Sequence, residues 1–515
     1  MDYAVRIRGI TKAFPRVVAN DNVDLDISQG EVHALVGENG AGKTTLMNIL
    51  YGLVRPDAGD IALNGRALPV AAGFLGLAHG IGMIHQHFML IGQFTVLENI
   101  ILGFEPRKGP LLDKPAARTR VENLMAEYGT GIDLSRRVDD LSVGEEQRVE
   151  ILKVLYRDAR IIIMDEPTAV LTPQEATQLF VTMRTLARSG RTVIFITHKL
   201  EEVMEVADTV TVMRGGRVIK TVATAQTDIA SLAEMMVGRK LEAMRARQTV
   251  PSAEPLLEVR DVSLTSRKGQ RLLTGVSLAV TRGEIFGICG VEGNGQDELF
   301  EVVIGLRSPD HGRIILGGVD VTSATTAHRM RSGLAHIPPD RIRMGLVTEM
   351  SLKENLLLGR QGESRFTGPV LLKRGSIERE TARMVSEFGI EPSDLEMKAA
   401  LLSGGNQQKV VAARELGRDP KFLLASQPTR GLDIGAARLI HELLIRQAEH
   451  GKGVLLISAD LAEVMSLADR IGVMYRGRVV GIVERAKATK EELGLMMAGA
   501  GVGASAGAGN TEDRR

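Results

Sequence analysis

The stretch Val32–Thr44, VHALVGENGAGKT, decides the fold. Val32 to Val36 is a short apolar run that reads as a buried strand. Gly37 to Thr44, GENGAGKT, fits the pattern G-x-x-x-x-G-K-[ST]. The residues after the loop, TTLMNIL, read as a helix closed by Gly52. A loop at a helix N-terminus offers free backbone N–H groups and a positive dipole end to phosphates. Its glycines let the backbone approach a ligand closely. In this pattern Lys43 reaches the β- and γ-phosphates and the Thr44 hydroxyl ligates Mg²⁺.

The chain carries this pattern a second time, altered. GVEGNGQD, Gly290 to Asp297, keeps the glycine skeleton at an offset of 253 residues, but Lys43 is matched by Gln296 and Thr44 by Asp297. At the same offset DAGDIALNG from Asp57 meets DHGRIILGG from Asp310. Further along the offset is 261: LSVGEEQ at Leu141 meets LSGGNQQ at Leu402, and MDEPT at Met164 meets ASQPT at Ala425. A repeat on this scale means two homologous domains, 1–238 and 256–498. The junction 239–255 is charged and then Pro/Ser-containing, as linkers are. The Gly/Ala-rich tail 499–515 is expected to be disordered.

Composition agrees with two soluble domains. The 515 residues are 44% hydrophobic and 25% charged, with 64 Lys+Arg against 63 Asp+Glu. That balance argues against bulk electrostatic binding of nucleic acid. The lone Cys289 excludes an intrachain disulfide, suits a reducing compartment and reads as a small buried apolar residue. No apolar run approaches the ~20 residues of a membrane span, so a membrane role would run through partners.

Two more strand tips carry chemistry. RIIIMDEP from Arg160 reads as a buried strand ending in Asp165 and Glu166. The first carboxylate can hold Mg²⁺, and the second can orient or deprotonate an attacking water. TVIFITH, Thr192 to His198, is a third strand with a polar tip.

LSVGEEQRVEI and LSGGNQQKVV, each about 20 residues before its strand, resemble the signature sequence of ABC-transporter ATPases. The order phosphate loop, Gln86, signature, Asp165-Glu166, His198 is similar to that family throughout. The resemblance implies an α/β fold: two P-loop nucleotide-binding domains, each with a β-subdomain and a helical subdomain, packed head to tail. It implies that Phe14 stacks on adenine. The phosphates would lie on Gly37, Glu38, Asn39, Gly40, Ala41, Gly42, Lys43, Thr44 and Thr45. Thr44, Gln86 and Asp165 would hold Mg²⁺. Glu166 resembles the catalytic carboxylate, Gln86 the coupling glutamine and His198 the switch histidine.

In this family each ATP lies between one domain's phosphate loop and the other's signature. One site would then combine the first domain's set with Ser403, Gly404, Gly405 and Asp433. The other would have Gln296, Asp297, Ser426, Gln427 and Ala459 where Lys43, Thr44, Asp165, Glu166 and His198 stand, with Thr172 in place of Asp433. Losing one general base costs about 10²–10⁴ in rate, so hydrolysis is expected at the first site alone.

The fused pair resembles ATPases of the simple-sugar uptake branch, and within it the nucleoside-uptake group. MIHQHFML at Met83 and ASQPTRGLDIGA at Ala425 carry that likeness, since the sugar group typically keeps Asp-Glu where Ser426-Gln427 stand. The alternatives are a monosaccharide importer ATPase and a soluble tandem ATPase acting on ribosomes. The ribosomal relatives keep both sites and carry a long basic linker, unlike this chain. The importer resemblance implies two transmembrane permease subunits, an external solute-binding lipoprotein and a peripheral place on the cytoplasmic face of the membrane. The solute would not touch this chain. Coupling would run through HFMLIGQF after Gln86 and DRIRMGLV after Pro339; the same apolar residues read equally as subdomain core. The two segments differ in character, which implies two different permeases.

Overall fold

The computed structural model describes residues 2–15, 17–69, 76–85, 88–168, 171–238, 252, 254–368 and 371–499. The chain divides into two units, Met1–Glu242 and Ala243–Arg515. Gln86, almost all of the expected linker and the tail after Gly499 lie outside the described residues.

In the first unit the strand Val32–Gly37 is buried along its whole length. An apolar run without alternation is what a parallel strand covered on both faces requires. It is central in a six-stranded sheet ordered Arg217–Ala223, Thr209–Arg214, Val32–Gly37, Thr192–Thr197, Ile161–Asp165, Ile81–Ile84. All pairings are parallel except that of the first two strands, which form an antiparallel hairpin at one edge. Register then fixes the chemistry: Thr197 lies opposite Val36, and Ile196 opposite Asp165. The three strand ends are level, so the phosphate loop, Glu166 and His198 all emerge at one edge of the sheet.

A four-stranded antiparallel sheet, ordered Val17–Ser28, Tyr3–Phe14, Ala58–Leu63, Arg66–Ala67, is the β-subdomain. The helix Lys43–Tyr51 joins the two sheets, burying Leu46, Met47 and Leu50 in one cluster with Val5 and Ile7 of the antiparallel sheet and Leu35 and Ile163 of the parallel one. The helices Val96–Ile101, Lys114–Tyr128 and Val143–Tyr156 pack around a separate core that includes Val96, Ile100, Val121 and Leu152. This is the helical subdomain.

The second unit repeats the plan. Its parallel sheet runs Leu334–Ile337, Phe422–Ser426, Gly453–Ile457, Ile285–Cys289, Arg470–Tyr475, Arg478–Glu484, the same order when each strand is matched to its counterpart. Cys289 ends the central strand, fully buried, and burial pushes its thiol up to about 12, so it is an inert apolar filler. The segments whose reading the sequence left open between surface and core are largely at the surface: Met89, Ile91 and Phe94 in the first unit, and Ile342, Met344 and Val347 in the second, are all exposed.

Candidate active site

Lys43 is the first residue of its helix, and its aliphatic stem and ammonium are buried. Nζ donates to the Gly37 carbonyl at 2.7 Å and the Glu38 carbonyl at 2.9 Å, folding back over the loop. Burial pushes the ammonium pKa down, and the charges of Glu166, Asp165 and Glu38 resist that. The loop is formed by close contact as well as by charge. Gly42 has φ +93°, and a Cβ there would lie 2.1 Å from the Ala19 carbonyl oxygen, so no other residue fits. Asn20, fully buried, donates from Nδ2 to the Gly42 carbonyl at 3.1 Å. Ala41 is buried, whereas Asn39, Gly40 and Thr44 are exposed along the loop and Thr45 is half-buried. Phe14 is 44% exposed, with the Lys12 ammonium 5.6 Å from its ring centroid, leaving an aromatic face at the surface.

The two carboxylates at the strand tip are pushed apart. Burial raises the Asp165 pKa, the neighbouring Glu166 charge adds to it, and a hydrogen bond from Thr44 and the charge of Lys43 oppose it. Glu166 is lowered, first by its hydrogen bond with His198, whose Nδ1 lies 3.0 Å from Oε1. Glu166 is held in the left-handed region at φ +47°, and its N–H donates to the Ile196 carbonyl at 3.0 Å. A non-glycine residue there is strained and is held by its surroundings. The hydrogen bond with His198 holds Glu166 ionised, while burial and that neighbouring charge disfavour a second bare carboxylate at Asp165 unless a cation joins it. Thr44 and Asp165 together form an undercompensated pair of hard oxygen donors, which fits a divalent ion such as Mg²⁺.

In the second unit the same backbone carries different chemistry. Gln296 is buried, and its Nε2 donates to the Val291 carbonyl at 3.0 Å, as Lys43 does to its own loop. Its Oε1 has no hydrogen-bond partner among the described residues. Asp297 stands at the Thr44 position, its carboxyl raised by burial and then by Glu298 and Glu292. Gln427 keeps the left-handed backbone of Glu166, at φ +46°, and its Oε1 accepts from the Ala459 N–H at 3.3 Å. The adjoining cavity, about 360 Å³, is lined by both acidic and basic side chains, among them Asp297, Asp340, Arg343 and Arg430.

The signature turns differ as sharply. Ser403 caps the helix Gly404–Leu416, and Asp433 caps Ile434–Glu449, its Oδ1 accepting from Ala436 N at 2.7 Å. A Cβ on Gly405 would meet Ala436 Cβ at 2.9 Å and Asp433 Oδ2 at 3.3 Å, so Ser403, Gly404, Gly405 and Asp433 form one small-residue surface. In the first unit the matching Gly144 faces Glu175: a Cβ there would lie 2.2 Å from its Oε1. Glu175 also closes a capping box with Thr172. Sequence reading noted Thr172 in place of Asp433 and missed Glu175. The T-x-x-E spacing and the matching Ala436 were the available signals.

The structure thus brings together Lys43, Thr44, Asp165, Glu166 and His198 in one unit, and Ser403, Gly404, Gly405 and Asp433 in the other. Among the described residues no helix is long and apolar enough to cross a membrane. A family model described as ABC transporter matches residues 20–169 and 273–430. A guanosine import ATP-binding protein of Bacillus subtilis (strain 168) is 44% identical over 97% of this chain and 98% of its own length. A nucleoside import ATP-binding protein of Lactococcus lactis subsp. cremoris (strain MG1363) is 43% identical over 97% and 98%. A glucose import ATP-binding protein of Haloferax volcanii is 44% identical over 96% of each chain.

Proposed function

The chain belongs to the ABC transporter family of ATP-binding proteins, and from that premise we propose that it is the ATP-hydrolysing subunit of a nucleoside importer with one competent ATP site. The observation that carries the one-site reading is the complementary loss in the two units. The first keeps Lys43, Glu166 and His198 but sets the Glu175 carboxylate beside its own signature glycine. The second has Ala436 where Glu175 stands, keeps Ser403, Gly405 and Asp433, and has Gln296 and Gln427 in place of Lys and Glu.

In this reading the phosphates lie on the loop 37–45 with Lys43 leaving its loop carbonyls for them, and adenine stacks on Phe14. Thr44, Asp165 and Gln86 hold Mg²⁺, which supplies charge neutralisation at the phosphates. Glu166 takes the proton of the attacking water, kept ionised by His198, which itself turns to the γ-phosphate. Ser403, the N–H groups of Gly404 and Gly405, and Asp433 complete the site from the second unit. Two different permeases and an extracytoplasmic solute-binding protein are its partners. It works at the cytoplasmic face of the membrane and does not itself bind the solute.

Identity does not separate nucleoside from sugar, since relatives named for both stand at 44%. The Ser426-Gln427 pair favours the nucleoside group, by the resemblance described above. The test is uptake in cells lacking this chain. Labelled guanosine and uridine uptake should be lost and glucose and ribose uptake kept, both restored by the intact gene. Loss of monosaccharide uptake alone would refute the solute assignment.

A further inference from the structure

The second unit contains a run of polar contacts that its partner unit lacks in sequence. Arg341 opens the π-helical turn Arg341–Gly345, whose start is capped by Asp340 Oδ1, accepting from Ile342 N at 2.9 Å and Arg343 N at 3.0 Å. The Arg341 guanidinium donates from Nη1 to the Arg430 carbonyl at 3.0 Å and from Nε to Gln407 Oε1 at 3.4 Å. Gln407 in turn donates to the Ala399 carbonyl at 3.1 Å. A Cβ on Gly404 would lie 2.6 Å from Arg341 Nη2, so the guanidinium rests against the signature turn itself. Arg430 then reaches the other way, Nη1 donating to Glu292 Oε1 at 2.8 Å on the glycine-rich loop. At the repeat offsets the first unit has Phe88, Glu146, Ala169 and Asn39 where Arg341, Gln407, Arg430 and Glu292 stand, so both guanidinium positions are apolar there.

We infer that Arg341 is a positioning residue for ATP hydrolysis, tying the exposed turn Arg341–Gly345 to the signature turn and to the loop that carries Asp433, with the Arg430–Glu292 ion pair anchoring that loop to the glycine-rich loop. At an intact site a bound phosphate and metal span the glycine-rich loop and the strand tip. Here the groups that would hold them are gone, and a resident guanidinium makes the link permanently. Ile342 and Met344 of the same turn are exposed, so force applied to that surface reaches Ser403 and Asp433 through one side chain. The inference rests on the one-site reading above.

The test is ATP turnover by the transporter reconstituted with its permeases, with the melting temperature of each variant measured alongside. Arg341→Met should lower kcat about tenfold with KM for ATP within about twofold, the pattern of a contact that acts on the transition state. Arg341→Lys should recover to within about threefold, because an ammonium can still reach the Arg430 carbonyl. The Arg430–Glu292 pair is half-exposed, so Arg430→Glu should cost about threefold and the Glu292→Arg, Arg430→Glu double variant should regain it. An unchanged kcat in Arg341→Met, or an equal loss in Met and Lys variants accompanied by a fallen melting temperature, overturns the inference. Ser403→Arg separates the two readings. If it abolishes turnover while Arg341→Met does not change it, only the positioning role fails; if it leaves turnover normal, the one-site reading fails first.

Discussion

Glu166→Gln is the sharpest perturbation the site allows. Gln is the same size as Glu, and its amide oxygen can accept the hydrogen bond that His198 Nδ1 makes at 3.0 Å. The left-handed backbone at φ +47° is already compatible with glutamine, because Gln427 holds φ +46° at the matching place. The fold should therefore survive the change. What disappears is one negative charge, held ionised by its hydrogen bond with His198, and with it the carboxylate that the proposed mechanism uses to take a proton from water. Loss of a general base is worth about 10²–10⁴ in rate, or roughly 3–5 kcal/mol at 1.36 kcal/mol per decade. There is a secondary effect on Lys43. Burial already lowers its pKa, and Glu166 is the largest charge resisting that, so in the variant the ammonium deprotonates at lower pH and ATP affinity falls away earlier on the alkaline side. The assay is phosphate release at saturating ATP by the assembled transporter, with nucleotide binding measured separately. Turnover should fall at least about 100-fold with binding at neutral pH retained. Gln427→Ala, which removes one 3.3 Å bond to Ala459, should leave turnover within about twofold. Equal losses from the two substitutions would refute the one-site argument.

Ser403→Arg places a long cation in a turn whose neighbours are Gly404, Gly405 and Ala436; phosphate release should be lost although every phosphate-loop group is intact, and normal release would refute the contribution of the second unit. Asp297→Asn should raise the melting temperature at pH 7. Asp297 is exposed at its surface, but partial desolvation and then the charges of Glu298 and Glu292 raise its folded-state pKa above the ordinary 3.8. The native state therefore binds the proton more tightly than the unfolded chain, and stability falls as pH rises from the unfolded value through the folded one. The gain from Asn should shrink toward zero below about pH 4, and a gain independent of pH would show that charge is not the cause.

The first unit's half of the candidate site was legible because its groups sit in contiguous motifs on strand tips. Lys43, Asp165, Glu166 and His198 each follow an apolar run that could only be a buried strand, and the level strand ends follow from the parallel register. The missing groups of the second unit were legible as mismatches in the internal repeat. What could not be read was set by contacts between distant segments. Asn20 supports the Gly42 carbonyl from 22 residues away, Glu175 fills the space beside Gly144 from 31 positions along, and Arg341 reaches the Arg430 carbonyl across 89 residues. Residue type does not mark such pairs as contacts, because each depends on how segments far apart in the chain pack. Asn20 comes from a strand and Glu175 from the first turn of a helix, whose T-x-x-E spacing marks the cap but not the neighbouring glycine. The positive φ of Glu166 and Gln427 is likewise invisible in residue type, being imposed by the bond to the neighbouring strand.

The shared backbone explains how one unit could lose its ligand groups without losing its shape. A glycine-rich loop with a buried lysine needs that ammonium to bond its carbonyls when no phosphate is present, and Gln296 supplies the same kind of donor without a charge to desolvate. The strand tip holds its left-handed backbone through a bond to the neighbouring strand, and Gln427 keeps that bond, its N–H donating to the Ile457 carbonyl at 2.7 Å. Neutral residues therefore preserve the scaffold on which Ser403 and Asp433 stand. The first unit differs in kind: Glu175 completes a helix cap, which favours stability, and its carboxylate takes up the space beside Gly144. Independent decay would remove groups from either face of either unit. The losses instead fall on the second unit's glycine-rich loop and strand tip and on the first unit's signature turn, while the other unit keeps the matching groups in each case. That division is the one the proposed single ATP site requires.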